Sequence, residues 1–343
     1  MQLSEFNFPF DPALIATEPV LPRDQARLLV LNPTSQSLSH RKVADLPDLL
    51  TPGDLLVVND TKVRAARVMG RKRISGRPVE ILFVKEVAER SWEVLMKGKW
   101  RAGQQIDADG GMCLTVLSRD AGRTVVRIEG PLSTHEFFRI HGRMPLPPYI
   151  KRTPNDRDRD WYQTIFAHDE GAIAAPTAGL HFTRALLARL ADRKIGLARV
   201  TLHVGIGTFK PVTVDRIEDH RMGAEWVDVG METVRAIERT KQSGGRIVAV
   251  GTTVVRALET AAQVQGEVRS FQGETRLFIT PGFAFHAVDA LLTNFHLPQT
   301  TLLMLVAAFA GVDLLRKAYE EAVRGRYRFY SYGDAMLISH RRP

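Results

Sequence analysis

Three histidines stand where apolar runs give way to short polar loops. His181 ends the stretch G-A-I-A-A-P-T-A-G-L-H that begins at Gly171 and holds Thr177 and Gly179. His203 lies in L-H-V-G-I-G-T-F (202–209), beside Gly205, Gly207 and Thr208. His296 lies in T-N-F-H-L-P (293–298), two residues after Asn294. Imidazole is the side chain whose ordinary pKa lies nearest neutrality, so it can exchange protons there. A fourth loop, Gly251-Thr252-Thr253, offers backbone N–H groups and hydroxyls to an anion or a sugar oxygen. Any one of these is ordinary as a loop-fixing bond or helix cap. Several loop histidines in comparable positions point instead to a shared pocket.

The elements around them set that position. Thr183 can cap a helix in which Ala185, Leu186, Leu187 and Leu190 recur at helical spacing. Leu197–Val204 reads as a strand. The pattern from Gly171 to Phe209 is therefore strand, loop, helix, strand, loop. Arg246–Val250 and Val288–Leu292 are further strands followed by helices at 254–262 and from Thr301. Ligands of open α/β sheets bind beyond the carboxyl ends of the strands. Leu55–Val58 is another strand, ending in Asn59-Asp60-Thr61-Lys62, which fits either a site or a turn.

The texture changes between Val63 and Ile140. Short β-rich runs (79–84, 92–96, 113–117, 124–128) alternate with turn signals such as Lys97-Gly98 and Asp109-Gly110-Gly111. This spacing predicts a small antiparallel barrel or sandwich. Met144-Pro-Leu-Pro-Pro-Tyr149 reads as the stiff return to the main chain. The expected fold is an α/β main domain (1–62 and 149–343) with an inserted small antiparallel β-barrel domain (63–148).

Charge follows the same division. Residues 61–150 hold 17 Lys/Arg against 9 Asp/Glu, while the remainder holds 30 against 29; the net charge is +9. A local excess of this size fits a solvated surface or a polyanionic partner, RNA or DNA foremost. Arg64, Arg67, Arg71, Lys72 and Arg73 crowd the start of the region, and Lys97, Lys99 and Arg101 flank Trp100. These eight are candidate RNA contacts. Trp92 and Trp100 fit either base stacking or the barrel core.

Several classes lose support. There is no G-x-G-x-x-G after a strand, no P-loop, no H-E-x-x-H and no G-x-S-x-G. The single cysteine, Cys113, excludes a disulfide within one chain and a cysteine-based zinc site, and no metal is expected. The N-terminal residues lack a signal-peptide pattern. Leu302–Ala310 is too short to span a bilayer and reads as a buried helix. A cytoplasmic protein is expected. A ribosyl- or nucleoside-processing enzyme acting on free small molecules and a non-enzymatic RNA-binding factor are the alternatives to an enzyme acting on RNA.

A resemblance narrows this. A-P-T-A-G-L-H-F-T (175–183), L-H-V-G-I-G-T-F (202–209), H-R-M-G-A-E-W (220–226), V-G-T-T-V-V-R-A-L-E (250–259), T-N-F-H-L-P (293–298) and S-Y-G-D-A-M-L-I (331–338) resemble the S-adenosylmethionine:tRNA ribosyltransferase-isomerase family of queuosine biosynthesis. V-V-N-D-T-K-V-R-A-A-R (57–67) and M-P-L-P-P-Y-I-K-R (144–152) look like earlier blocks of that family. Val58 and Lys62 depart from it, where aromatic or arginine residues are common.

The resemblance implies a main α/β domain with an inserted barrel. It also implies transfer and isomerisation of the ribosyl group of S-adenosylmethionine onto 7-aminomethyl-7-deazaguanine at the tRNA wobble position. The products are epoxyqueuosine-tRNA, adenine and methionine. S-adenosylmethionine is then a consumed co-substrate, with no recycled cofactor, and a monomer is expected. With that reading, His181 and His203 become candidate acid/base groups, and Glu225 and Asp334 candidates to bind the amine or orient a histidine. Thr177, Gly179, Gly205, Gly207, Thr208, Thr252, Thr253, Asn294 and His296 become candidate substrate contacts.

Overall fold

A computed structural model describes residues 1–120, 123–205, 212–263 and 266–339. The strands in chain order begin with β1 (Arg27–Asn32), β2 (Ser37–Lys42), β3 (Leu55–Asn59) and β4 (Thr61–Val63). Next come β5 (Arg67–Lys72), β6 (Pro78–Ala88), β7 (Ser91–Met96), β8 (Gln105–Ala108), β9 (Met112–Asp120) and β10 (Arg123–Glu129). The remainder are β11 (Asp169–Ala172), β12 (Gly196–Leu202), β13 (Glu225–Val229), β14 (Ile247–Val250), β15 (Phe271–Thr275), β16 (Ala290–Asn294) and β17 (Ala335–Ser339). The α-helices are α1 (Leu46–Leu49), α2 (Thr134–His141), α3 (Asp158–Trp161), α4 (Arg184–Asp192), α5 (Met231–Gln242), α6 (Thr252–Ala262), α7 (Thr301–Ala310) and α8 (Val312–Arg324).

Two compact units result: residues 1–62, 148–152 and 161–343, and residues 63–147 with 153–160. The first is built on a mixed sheet in the order β15-β13-β12-β3-β14-β16-β17-β1-β2. Its centre is parallel, with β12 on β3, β3 on β14 and β14 on β16. Strands covered on both faces read as unbroken apolar runs, and β3 (Leu-Leu-Val-Val-Asn) and β14 (Ile-Val-Ala-Val) are buried at every position. Alternation along each strand splits their side chains between two layers. Leu29, Val57, Ala249 and Leu291 join α5, α6, α7 and α8 on one face. Leu28, Leu56, Val58, Val248 and Leu292 join α1 and α4 on the other. The apolar helix α7 is buried in the first layer. Among the described residues, no helix is long and apolar enough to cross a membrane.

The second unit contains a closed barrel in the order β10-β7-β6-β5-β8-β9, antiparallel throughout. Val68, Ile81, Phe83, Val94, Ile106, Leu114, Val126 and Ile128 fill it, and Phe137 and Phe138 of α2 pack onto them. The expected α/β fold with a small antiparallel barrel is the fold observed. Two barrel strands, β5 and β8, are absent from the sequence expectation. β5 carries Gly70 in its interior, where a Cβ would lie 2.7 Å from Ile106 Cγ2 and 3.0 Å from the Asp107 carbonyl. Close backbone approach thus replaces the apolar alternation that marks other strands.

One strand expectation is corrected. The apolar run before His181 does not enter the main sheet. Among the described residues its strand, β11, pairs only with β4 in a two-stranded ribbon. The chain then reaches the sheet through a 3-10 turn at Thr177–His181.

Candidate active site

The parallel centre brings four carboxyl ends to one edge. β3 ends at Asn59, β12 at Leu202, β14 at Val250 and β16 at Asn294. β17 runs antiparallel to β16 with Ala335 opposite Asn294, so Asp334 reaches the same edge at the start of its strand. β13 runs antiparallel to β12 with Val227 opposite Leu202, which brings Glu225 there too.

A pocket opens along this edge. Thr177, Gly251, Thr252, Thr253, Asn294 and His296 line it, with Tyr149, Tyr162, Tyr330 and Ser331 also on its wall. Among the described residues, no Asp, Glu, Lys or Arg lines it. Gly251 has φ +98°, a conformation glycine adopts without steric cost, and it turns the chain from β14 into α6. It gives α6 no side-chain cap. Val254 N–H bonds back to the Gly251 carbonyl at 3.1 Å, which leaves the N–H groups of Thr252 and Thr253, both residues of the pocket wall, at the helix end where the dipole favours negative charge.

Asn294 is the central polar joint. Its Oδ1 accepts from the Thr177 hydroxyl at 2.9 Å, and its Nδ2 lies 3.0 Å from His181 Nε2 and 3.3 Å from the Asp334 carbonyl. Asn59 does the same work two strands away, across β14. Its Nδ2 donates to the Leu202 carbonyl at 3.0 Å and the Thr253 hydroxyl at 3.3 Å. Its Oδ1 accepts from the Thr61 and Leu202 N–H groups. Asn59 is a satisfied structural joint that locks β3, β12 and α6 together. Its neighbour Asp60 accepts from the Thr201 hydroxyl at 2.7 Å, and burial raises its pKa.

The histidines occupy unlike places. His181 is buried behind Asn294, off the pocket wall. Burial, helped by the charges of Arg23 and Arg328, lowers its pKa to about 4. That removes the near-neutral titration expected of a proton carrier and leaves it a neutral partner for Asn294. His296 lies on the wall with Nε2 2.9 Å from the Thr293 hydroxyl, and burial lowers its pKa to about 3. His203 is half-buried, with Nδ1 2.8 Å from the Thr61 hydroxyl. Its ring lies against Gly171, where a Cβ would come within 2.6 Å of the ring atoms. The next residue, Val204, lines the pocket.

The two candidate carboxylates are committed to structure. Asp334 is buried and accepts from Arg27 N at 2.9 Å, Arg328 N at 2.7 Å and Arg27 Nε at 3.2 Å. Glu225 is buried against Arg256 and accepts from Gly205 N–H at 2.9 Å. Neither lines the pocket. Gly179 also lies off the wall; a Cβ there would sit 3.0 Å from Thr164 Cγ2, so it serves packing. Gly205 is placed by the Glu225 bond. Gly207 and Thr208 lie outside the described residues.

The barrel sorts the eight basic candidates. Arg71, Lys97, Lys99 and Arg101 are exposed. Arg73 is exposed and ion-paired with Asp107, its Nε 2.9 Å from Oδ1. Lys72 sits 4.0 Å over the Trp100 ring, and Arg64 sits 4.9 Å from the Trp92 ring centre. Arg67 donates to the Leu146 carbonyl at 2.9 Å. Trp92 and Trp100 are both buried, so they are core residues and not stacking platforms. Among the described residues no cluster of His, Cys, Asp and Glu could hold a metal.

Gly171, Tyr162 and Tyr330 are not among the expected site residues. Gly171 only opens an apolar run and Tyr162 only precedes it, while Tyr330 lies in a basic, aromatic tail (326–334) that reads equally as core, site rim or RNA contact.

Fold and site together define an α/β enzyme with a separate closed barrel and an uncharged pocket at the strand ends. A family model described as "Queuosine biosynthesis protein" matches residues 3–338. The chain belongs to this family, the S-adenosylmethionine:tRNA ribosyltransferase-isomerases, enzymes of the transferase-isomerase class. A relative of that name from Xanthomonas oryzae pv. oryzae is 49% identical, covering 98% of this chain and 97% of its own. Another, from Symbiobacterium thermophilum, is 48% identical, covering 98% of this chain and 100% of its own. A crystal structure of S-adenosylmethionine tRNA ribosyltransferase from Thermotoga maritima is 39% identical, with a TM-score of 0.57 over 98% of this chain and 100% of that one.

Proposed function

We propose that this enzyme transfers the ribosyl group of S-adenosylmethionine to the amine of 7-aminomethyl-7-deazaguanine at the tRNA wobble position. Isomerisation of that group gives epoxyqueuosine-tRNA and releases adenine and methionine. The sulfonium acidifies the adjacent ribosyl carbon, and a base removes that proton. Adenine departs as the ring opens. The neutral aminomethyl group attacks, and closure of the epoxide expels methionine.

The observation that carries this reading is the uncharged, hydroxyl- and amide-lined pocket at the strand ends. Such a wall suits a nucleoside. Thr177, Asn294 and His296 fit ribose hydroxyls. Thr252 and Thr253, at the uncapped start of α6, fit the methionine carboxylate or the charge that builds on departing adenine. His203 is the acid/base candidate, held by Thr61 and Gly171. His181 acts through Asn294 as a positioning residue. Residues 63–148, as the basic domain, would bind tRNA through Arg71, Lys97, Lys99 and Arg101, with Lys72 and Arg73 beside them.

The test is to incubate the enzyme with labelled S-adenosylmethionine and tRNA carrying the deazaguanine precursor. Adenine release that requires this tRNA is expected. Release without RNA, or RNA binding with no adenine released, overturns the reading.

A further inference from the structure

Two tyrosines of the pocket wall have hydroxyls that are themselves buried. Tyr162 is fully buried and Tyr330 is 5% exposed, and both line the pocket. Neither hydroxyl has a hydrogen-bond partner among the described residues. The Tyr162 hydroxyl approaches Ser331 and the Ala175 backbone without reaching bonding geometry, and Ser331 Oγ is already engaged by Tyr149 at 2.7 Å. A buried donor left unpaired costs stability, so a protein keeps one where a ligand completes it.

The backbone at one of them is unusual. Tyr330 has φ +69°, a left-handed conformation that is unusual for a bulky side chain. The turn that holds it needs Gly333, where a Cβ would lie 2.4 Å from the Arg328 carbonyl. The Tyr330 ring stacks on Tyr149 with centroids 4.5 Å apart and planes at 24°. Strain of this kind gathers where a side chain must point at a ligand. Burial raises the pKa of both phenols, so at neutral pH each is a hydrogen-bond donor.

With no formal charge on the described wall, the part of the ligand facing these hydroxyls is neutral and carries acceptors. We propose that Tyr162 and Tyr330 recognise a flat, nitrogen-bearing aromatic base, their hydroxyls donating to its ring acceptors. The inference rests on the function proposed above, and it assigns the base-recognition subsite within that pocket. Two bases share this chemistry: the adenine of S-adenosylmethionine and the deazaguanine of the tRNA precursor.

Tyr162→Phe and Tyr330→Phe, made separately in the full chain, test it. Titration calorimetry is run with S-adenosylmethionine, 5′-methylthioadenosine and precursor-bearing tRNA, together with thermal unfolding. Each variant should keep or raise the melting temperature, because the unpaired hydroxyl is gone. Each should also weaken base binding about 3- to 10-fold, the effect of one lost neutral hydrogen bond. Equal weakening for both adenosine ligands assigns adenine to the subsite. Weakening for precursor-bearing tRNA alone assigns the deazaguanine. Unchanged affinity for all three ligands overturns the inference, and so does a lowered melting temperature in both variants, since the hydroxyls are then bonded in the free protein. A wild-type enzyme that binds none of the three ligands contradicts the proposed function instead.

Discussion

Asn294 Nδ2 lies 3.0 Å from His181 Nε2, while the Asn294 carboxamide oxygen takes the Thr177 hydroxyl at 2.9 Å. The amide can donate only if Nε2 is unprotonated. A neutral imidazole behind the pocket therefore fixes which way Asn294 faces, and with it Thr177 on the wall.

That neutrality has a pH signature. His181 and His296 have folded pKa values of about 4 and about 3, below the ordinary 6.5 of the unfolded chain. Below about pH 6.5 the unfolded state binds protons that the folded state refuses, so stability falls as pH drops. Each histidine contributes a slope of up to about 1.4 kcal/mol per pH unit. The loss stops growing once pH passes below the folded pKa. Unfolding measured between pH 7 and pH 4 should show a shallower dependence in His181→Gln than in wild type. An unchanged slope would mean that His181 titrates normally in the fold.

Gly171 should behave as a residue of the His203 site. A Cβ at Gly171 would lie 2.6 Å from the His203 ring, and the ring is held through Nδ1 by the Thr61 hydroxyl. Gly171→Ala must displace the imidazole or the β11 backbone. A displacement near 1 Å at a reacting group can cost on the order of 100-fold in rate. Single-turnover adenine release should fall by about that factor while tRNA affinity is kept. A wild-type rate in a folded Gly171→Ala protein would mean that the β11 backbone gives way and the imidazole stays in place, whereas a near-normal rate in His203→Gln would remove His203 from the chemistry.

Much of this arrangement is legible in the sequence because it sits at strand ends. The runs 55–58, 246–250 and 288–292 announce their strands, and Gly251 announces its turn, although Asn59 and Asn294 prove to be the last strand residues rather than loop residues. The main-sheet register is not legible. It decides that β17 returns beside β16, which brings the loop of Tyr330 and Ser331 to the edge. Burial is equally hidden. His181 and His203 look alike as loop histidines, but one is packed behind Asn294 and the other is half-buried at Thr61. Asp334 reads as a free acid because its partners, Arg27 and the Arg328 backbone, come from opposite ends of the chain and from its own turn. Trp92 and Trp100 turn inward because a small barrel needs large side chains to fill it.

If the proposed tRNA contact is right, the exposed cations of the barrel set the salt dependence of tRNA binding. Lys97, Lys99 and Arg101 are exposed on one short segment between β7 and β8, whereas Arg73 is ion-paired to Asp107. Replacing the three with Ala should reduce the slope of log affinity against log salt by about 2 to 3, since each phosphate contact contributes about 0.7 to 0.9. The unfolding midpoint should stay near wild type because none of the three is buried. Filter binding of tRNA from 50 to 300 mM salt (about a sixfold range chosen to resolve the slope) reads this directly. An unaltered slope would move the tRNA contact away from this segment.

Glu225 separates a structural role from a catalytic one. Its carboxylate faces Arg256 in a buried pair, and it also holds Gly205 N–H at 2.9 Å. Arg256 in turn donates through Nε to the Leu277 carbonyl at 3.0 Å. Glu225→Ala leaves that guanidinium buried without its counter-charge, which typically costs about 3–5 kcal/mol. Loss of activity in this variant would therefore report unfolding and say nothing of chemistry. Replacing both partners with apolar residues of similar volume, Glu225→Met with Arg256→Met, removes the charge imbalance and should recover much of the stability. If Glu225 serves only to hold the Gly205 N–H, the folded double variant should keep measurable, reduced adenine release. A double variant that folds at wild-type stability yet releases no adenine would instead make the Glu225 carboxylate or the Arg256 guanidinium part of the reaction.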